Sequence, residues 1–555
     1  MIGKTGNKLL SRLLAQRNIS VDDVDAFLSC DYKGLSDPFA IKGMEKAVRI
    51  FCDAIKQKKK IAVIGDYDCD GIFSSVIIRE ACRMLNTSCK VFLPSRMEHG
   101  YGLNDRTIEA FQEVVDDVGL LFLLDCGTNN NKEIDRLKSC GIEKVIVIDH
   151  HIVDPDTVSL SADVLINYHL CDCQEMCAAG LAFQFVRGLR KLTSKIDPVE
   201  FLSYAAIGTI ADMSPVIGDN RIIVRHGLDA YAMNRVVASG LGALKRSARI
   251  FDDHLTQEDV SFRIAPRINA VGRLEDPIMA YGLLVEQDQL EAEIISTYVD
   301  SSNRKRKEVQ HEVEFAVEAT VESGSHKHGI LVYSPDWHIG VVGIVASRMA
   351  ETFHKPALIL GQHKGIIKGS GRTWNGINLK EILDSCSEMF VTYGGHAEAA
   401  GVTLKPEYVK TAAALFDEAC RKYCEEHIAS GSPDRQYDAE IPISKVTFDV
   451  ARLLLEKMYP YSDKENPEPI FKLSGVTAIN AELTEGDSWR VLKFECTKDG
   501  VKAPMSFKMF GYQYGTEISG MTVDIYFSFP QKLTSKAGYP VALNVMDLAI
   551  YEKNS

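Results

Sequence analysis

The sequence predicts an α/β protein built on a parallel sheet, followed by a second α/β unit and a small C-terminal β-barrel. Three observations carry this expectation. Four short runs rich in branched apolar residues, IAVIGD (61–66), CKVFLP (89–94), LLFLLDCG (120–127) and KVIVIDH (144–150), are each separated by enough chain for a helix. That is the pattern of a parallel sheet covered on both faces. Residues 328–425 resume the strand-and-helix style with HGILVYSP (328–335) and the small-residue segment VGIVASRMA (342–350). Residues 465–550 instead alternate apolar and polar positions in WRVLKFEC, MSFKMFG and VDIYFSFP, as a small antiparallel sheet or barrel does.

With 555 residues, the chain is longer than one hydrophobic core normally supports. In residues 1–58, an N-terminal helical segment, Met44, Val48, Phe51 and Ile55 recur at helical spacing before KQKKK. The parallel-sheet unit occupies 59–277, and its part from 170 to 245 reads as mainly helical. Residues 278–322 form a connecting helical stretch, either one rigid spacer or two ordinary helices broken near Ser301. The second α/β unit follows at 323–430, then a charged linker at 431–464 and the barrel at 465–555.

A formal charge of -13 argues against a broad basic surface but leaves room for a local cationic groove. No stretch approaches about 18 uncharged apolar residues, so no membrane association is expected. The N-terminus lacks a secretory pattern, and the fourteen cysteines suit a reducing cytoplasm. A cytoplasmic monomer is expected. Cys171, Cys173 and Cys177 form a tight group, either a weak metal signal or a loop entering a helix.

Polar residues fall where a parallel sheet concentrates chemistry. Asp66, Asp68 and Asp70 follow one strand, Asp125 ends another, and Asp149, His150 and His151 end a third; C-terminal strand ends share one edge. Asp212 lies between an apolar run and a proline turn. Carboxylates and imidazole together favour manganese, with two ions expected and magnesium as a substitute. His151 has three possible uses: orienting a ligand, donating to substrate or supporting His150. KGSGR (368–372) and GGH (394–396) read as glycine-rich turns open to an anion, with Ser370, Arg372 and His396 as directional donors. His338 and Arg348 extend that surface. Arg96, Arg267, Asn269 and Arg273 are candidates for the facing wall of a cleft. Tyr512, Tyr514 and Phe529 are candidates for base stacking in the last domain, core packing being the plainer reading of Phe529.

The ordered set DYDCDG (66–71), EHGYGLNDRTIEA, LLDCG (123–127), DHH (149–151), GTIAD (208–212), PRINAVGRL (266–274), WHIGVVGIVASR (337–348), KGSGR and GGHAEAAG (394–401) resembles the bacterial RecJ group of single-stranded-DNA-specific exonucleases, in the DHH phosphoesterase superfamily. The resemblance implies a DHH catalytic domain, a DHHA1 accessory domain and an OB-like barrel. It also implies 5′-to-3′ hydrolysis of single-stranded DNA to mononucleotides with manganese. Asp66, Asp68, Asp70, Asp125, His150 and Asp212 would hold the metals; Arg96, Ser370, Arg372 and His396 would face DNA. Single-stranded-DNA-binding protein and a RecQ-type helicase are the implied partners. The chain departs from the pattern at Cys69, where alanine is common, and at Asn167-Tyr168, where Asn-Pro is usual. Two other functions stay open: a phosphodiesterase for oligonucleotides or cyclic dinucleotides, and a non-catalytic replication or repair scaffold.

Overall fold

A computed structural model describes residues 5–100, 102–229, 233–236, 238–427, 436–485, 490–509, 515–533 and 543–550. Five strands, β1 (Ile61–Gly65), β2 (Cys89–Phe92), β3 (Leu120–Leu124), β4 (Lys144–Ile148) and β5 (Val164–Ile166), form a parallel sheet of order β2-β1-β3-β4-β5. Every residue of β1 and β3 is buried, which accounts for their unbroken apolar runs. Ile61, Val63, Phe122 and Ile146 face a large core with the helices Met44–Lys56, Cys69–Met84 and Ala178–Leu192, where Phe51, Phe122 and Phe185 meet edge to face. Ala62, Ile64, Leu121 and Val147 face the other way, onto Ile108, Phe111, Ile134 and Leu137 of the helices Asp105–Val114 and Asn131–Ser139. The chain runs from β1 outward to β2 and back past it to β3. That reversal opens a crevice between β1 and β3, beyond their C-terminal ends.

The connecting stretch opens with a short helix, Ile278–Val285, and continues as one long helix, Gln289–Thr320, unbroken at Ser301. Ala292 and Val299 pack in the first core and Val313 and Val317 in the next domain, so the helix spans both. That domain carries β6 (Ile330–Tyr333), β7 (Ala357–His363), β8 (Ile366–Arg372), β9 (Phe390–Gly395) and β10 (Ala399–Leu404), in the order β6-β7-β8-β10-β9. KGSGR is not a turn. It lies in β8, paired on both sides, and its glycines serve packing: a Cβ on Gly369 would lie 2.7 Å from Ile359 O and one on Gly371 2.8 Å from Leu379 Cδ2.

The last domain is a closed, OB-like barrel of β11 (Ala439–Glu440), β12 (Phe471–Glu485), β13 (Arg490–Lys498), β14 (Val501–Met509), β15 (Thr522–Ser528) and β16 (Leu543–Ile550), closed by pairing of β12 with β15. Two expected boundaries shift here. Within the 1–58 segment, Leu10, Leu13 and Leu14 of the helix Lys8–Gln16 pack in the barrel core, whereas Met44–Lys56 packs on the parallel sheet. The 431–464 stretch is no free linker: β11 and the helix Phe448–Lys457 place Ala439, Ala451 and Leu454 in that same core. Apolar spacing reveals a helix but not which core it joins.

Arg221 docks the barrel domain on the catalytic side. Its buried guanidinium donates to the carbonyls of Met458 (2.8 Å), Lys457 (3.2 Å), Tyr459 (3.3 Å) and Pro460, and stacks over Phe27 at 4.1 Å. Unpaired buried carbonyls cost about 1–3 kcal/mol each. Arg221→Ala should therefore lower the melting temperature, by about 2–4 °C per kcal/mol lost for a domain of this size. Thermal unfolding followed by circular dichroism measures this, and an unchanged midpoint would contradict the docking role.

Candidate metal centre

The sheet ladder itself holds the acidic residues. The N–H of Asp66 donates to Leu124 O (3.2 Å), that of Asp125 to Ile148 O (3.0 Å) and that of Asp149 to Ile166 O (3.1 Å). Pairing thus continues one residue beyond each strand and delivers the three side chains to one edge. The helix Cys69–Met84 begins at once, with Asp68 Oδ1 accepting from the N–H of Asp70 (3.0 Å) and Gly71 (3.1 Å) as its N-cap. A Cβ on Gly71 would lie 2.5 Å from Asp66 O, so this close approach of helix to strand end requires glycine.

Asp70 is held from across the domain. Its two oxygens accept from the N–H groups of Ala178 and Ala179, each at 2.8 Å, at the start of the helix Ala178–Leu192. Helix N-termini favour such an anion. Cys177 caps that helix, its Sγ accepting from Gly180 N at 3.4 Å, and Cys171 is joined to Cys173 by a disulfide; this group is a loop entering a helix. Asp212 ends the helix Leu202–Ala211 and accepts from Ser214 Oγ at 2.6 Å.

These residues meet in overlapping clusters. Asp66, Asp68 and Asp125 offer ligand atoms within 4.8 Å of one another, and so do Asp70, His150 and Asp212. Asp125 reaches both: His150 Nε2 lies 3.2 Å from Asp125 Oδ1, 3.6 Å from Asp212 Oδ1 and 3.9 Å from Asp70 Oδ2. Asp125 Oδ1 is buried and makes no hydrogen bond among the described residues. An orphaned carboxylate oxygen there fits a cation, and the donor set of hard oxygens and one imidazole fits manganese, with magnesium acceptable to the all-oxygen cluster. Burial, reinforced by Asp68, pushes the Asp66 carboxyl up to about 8; burial and Asp70 push Asp212 up to about 7. Asp70 and Asp125 are raised too, chiefly by burial.

Asp149 does a different job. Burial opposes its charge, yet bonds from His151 Nδ1 (2.7 Å) and Thr128 N (2.9 Å) hold the carboxyl below the usual range. The same bond raises His151 to about 9, which makes it an imidazolium beside the acidic clusters. Buried Asn167 donates to His151 O (2.8 Å) and Thr128 Oγ1 (3.0 Å), fixing the turn. Strand-end position alone does not distinguish a ligand from a residue that orients one, so these roles were hidden in the sequence.

The expected substrate residues divide. Arg96 lies 5.8 Å over the Tyr67 ring. Burial lowers Arg273 to about 10 and lowers Arg372, and the charge of Arg96 adds to both shifts. His338 is also lowered, by burial first, with Arg96 among its charged neighbours. Arg273, His338 and Arg372 thus surround Arg96, and the charges of Arg96 and Arg273 are felt at Asp66 and Asp68. Arg372 Nη1 donates to Ser370 Oγ at 2.9 Å, and Arg273 Nη1 to Gly340 O at 3.3 Å. Two arginines serve otherwise: Arg267 binds Asp300 (3.0 Å) and Arg263 O (2.8 Å), and Arg348 pairs with Glu314 at 3.3 Å, bracing the long helix. His396 is exposed at the β9–β10 turn, where its Nδ1 accepts from Glu398 N at 3.3 Å.

A cleft of about 670 Å³ extends from Asp212's neighbours Ala211 and Met213 past Asn269 and Arg273 to Tyr461 and Glu468 of the barrel domain. Asn269 Oδ1 is buried without a hydrogen bond among the described residues. Arg306 lines the cleft as well, held by Asn303 Oδ1 (2.7 Å) and Gln310 Oε1 (2.5 Å); in SSNRKRKE it looks like ordinary surface charge. Phe529 packs in the barrel core on Phe471 and Phe527, so it is not free to stack on a base. Tyr512 and Tyr514 lie outside the described residues.

Residues 60–209 match the DHH family, N-terminal domain, and residues 327–422 match the DHHA1 domain. The single-stranded-DNA-specific exonuclease RecJ of Escherichia coli is 30% identical over 490 residues, covering 83% of this chain and 82% of that protein. RecJ of Bacillus subtilis is 35% identical over 407 residues, 72% of this chain; the match spans about half, 51%, of that longer protein. The crystal structure of Thermus thermophilus RecJ in complex with Mn2+ superposes with a TM-score of 0.79 at 25% identity, covering 98% of this chain and 76% of that one. Among the described residues no helix is long and apolar enough to cross a membrane.

Cation removal should expose the repulsion in the centre. Because Asp66 and Asp212 carry raised carboxyl values in the fold, their protonated forms favour folding at low pH, and this stability is lost as pH rises through about 7 to 8. With EDTA, the melting temperature should fall as pH rises from about 4 and level off near pH 8. Manganese at a hundred times its Kd should add about 2.7 kcal/mol. A melting temperature indifferent to manganese at the higher pH would contradict cation binding here.

Proposed function

The chain belongs to the RecJ family of DHH phosphoesterases, and we propose that it is a metal-dependent exonuclease that degrades single-stranded DNA from the 5′ end to 5′-mononucleotides, in recombination and repair. The observation that carries this reading is the set of overlapping carboxylate and imidazole clusters linked through Asp125 and His150, with the neighbours of Asp212 lining a cleft walled by three domains. Divalent cations held there would ease deprotonation of a water, making it a nucleophile toward phosphorus, and would neutralise charge on the phosphate oxygens. Asp66, Asp68, Asp70, Asp125, His150 and Asp212 hold them. His151, kept protonated by Asp149, donates to a phosphoryl oxygen as negative charge builds there.

Arg96 and Arg372, with Ser370 bonded to Arg372, suit a terminal phosphate, since a guanidinium fork binds two oxygens at once. Arg273, Asn269 and His338 hold the strand nearby. The cleft continuing to the barrel favours a long strand over a trinucleotide or cyclic dinucleotide. The intact ligand set argues against a scaffold without activity. The cytoplasm as location, and single-stranded-DNA-binding protein and a RecQ-type helicase as partners, belong to the same reading.

The test is hydrolysis of 5′-phosphorylated, end-labelled 30-mer DNA with manganese, beside duplex DNA, matched RNA and a 3-mer. Degradation of the single-stranded 30-mer to mononucleotides is expected; cleavage of the 3-mer alone would reject the reading. A charged hydrogen bond is worth about 1.5–3 kcal/mol. Arg372→Ala should therefore cut the preference for a 5′ phosphate over a 5′ hydroxyl about ten- to hundredfold, whereas an unchanged preference would sink that assignment.

A further inference from the structure

Two large apolar side chains stand in the cleft with no core to cover them. Phe262 is 74% exposed and Met213 is 75% exposed, although both lie in the catalytic domain and both line the cleft. Scattered exposed apolar residues need no explanation, but these two line one cleft, and Met213 adjoins a metal-ligand candidate. Met213 directly follows Asp212. Its backbone is left-handed, with φ of 62°, a conformation that side-chain-bearing residues rarely adopt. Phe262 belongs to a π-helical turn, Val260–Ile264, that runs into the helix bearing Asn269 and Arg273. Such turns often occur at functional sites. Ile210, Ile344 and Tyr461 add to the apolar lining.

We propose that Phe262 and Met213 form a platform on which the bases of the single strand stack just beyond the scissile phosphate. The proposal rests on the exonuclease reading above. It assigns the stacking to the catalytic domain, not to barrel aromatics such as Phe529, whose ring is buried. The occupant follows from the surroundings. Ala211 and Met213, on either side of Asp212 in the chain, line the cleft, and Arg273 and Arg306 in its lining offer charge to phosphates. Glu258, Asp463 and Glu468 also line the cleft and repel phosphates, so the backbone is favoured next to the two arginines. An apolar face in a cleft that also holds two guanidinium groups suits a base attached to its phosphate, and stacking tolerates any sequence because every base has a π face.

The test compares kcat/KM of the full chain with manganese on a 5′-phosphorylated 30-mer for the wild type, Phe262→Ala and Phe262→Trp. Parallel substrates carry one abasic position, placed in turn from the second to the sixth nucleotide. Loss of one stacked base should cost about tenfold. Phe262→Ala should lose this mainly through KM, Phe262→Trp should recover it, and the abasic position that harms the wild type should harm Phe262→Ala no further. Because the ring is exposed, matched melting curves verify that the variants fold. An unchanged KM, or abasic and alanine losses that simply multiply, would overturn the platform. A wild type that leaves the 30-mer intact would instead overturn the exonuclease reading, and the platform with it.

Discussion

Five carboxylates in a space a few ångströms wide repel one another, and the architecture around them exists to hold them there. Asp66, Asp68, Asp70, Asp125 and Asp212 come from strand ends, a helix N-cap and a helix C-terminus. A lone buried acid relieves its charge by taking up a proton. A cluster that must act on phosphate has a better partner in divalent cations, which then turn the acidic pocket into a positive one. The surrounding features follow from that demand. Gly71 lets helix and strand meet, the Ala178–Leu192 N-terminus holds Asp70, and Asp149 keeps His151 positive next to the anions.

The same logic extends to the other domains. Catalysis on a polymer needs the strand held on both sides of the reacting phosphate. One rigid helix, Gln289–Thr320, spans the first two domains, while Arg221 clamps the third to the first. The cleft therefore has walls of fixed relative position. Arg267 and Arg348 contribute by bracing the long helix through Asp300 and Glu314.

Much of this was legible in the residues. Continuous apolar runs mark buried parallel strands, and the acidic and imidazole residues stand where those runs stop, so both the sheet and its chemical edge follow from local patterns. Partnership does not. Nothing near Arg267 indicates that Asp300, 33 residues away, takes its charge. Asp149 resembles its neighbours in sequence yet points to His151 and Thr128, because only the fold decides which way a strand-end side chain turns. The glycines of KGSGR look like a turn because glycine is permissive in turns, but here they admit a neighbouring strand and helix. Likewise, nothing in EDVSFRIAP marks Phe262 as a residue that lines a cleft.

Anomalous diffraction at the manganese edge, from crystals grown with Mn2+, tests the central claim most directly. Two peaks about 3.5–4 Å apart are expected, one among Asp66, Asp68 and Asp125 and the other among Asp70, Asp125, His150 and Asp212. Peaks placed elsewhere, or none within bonding distance of Asp125, would contradict it.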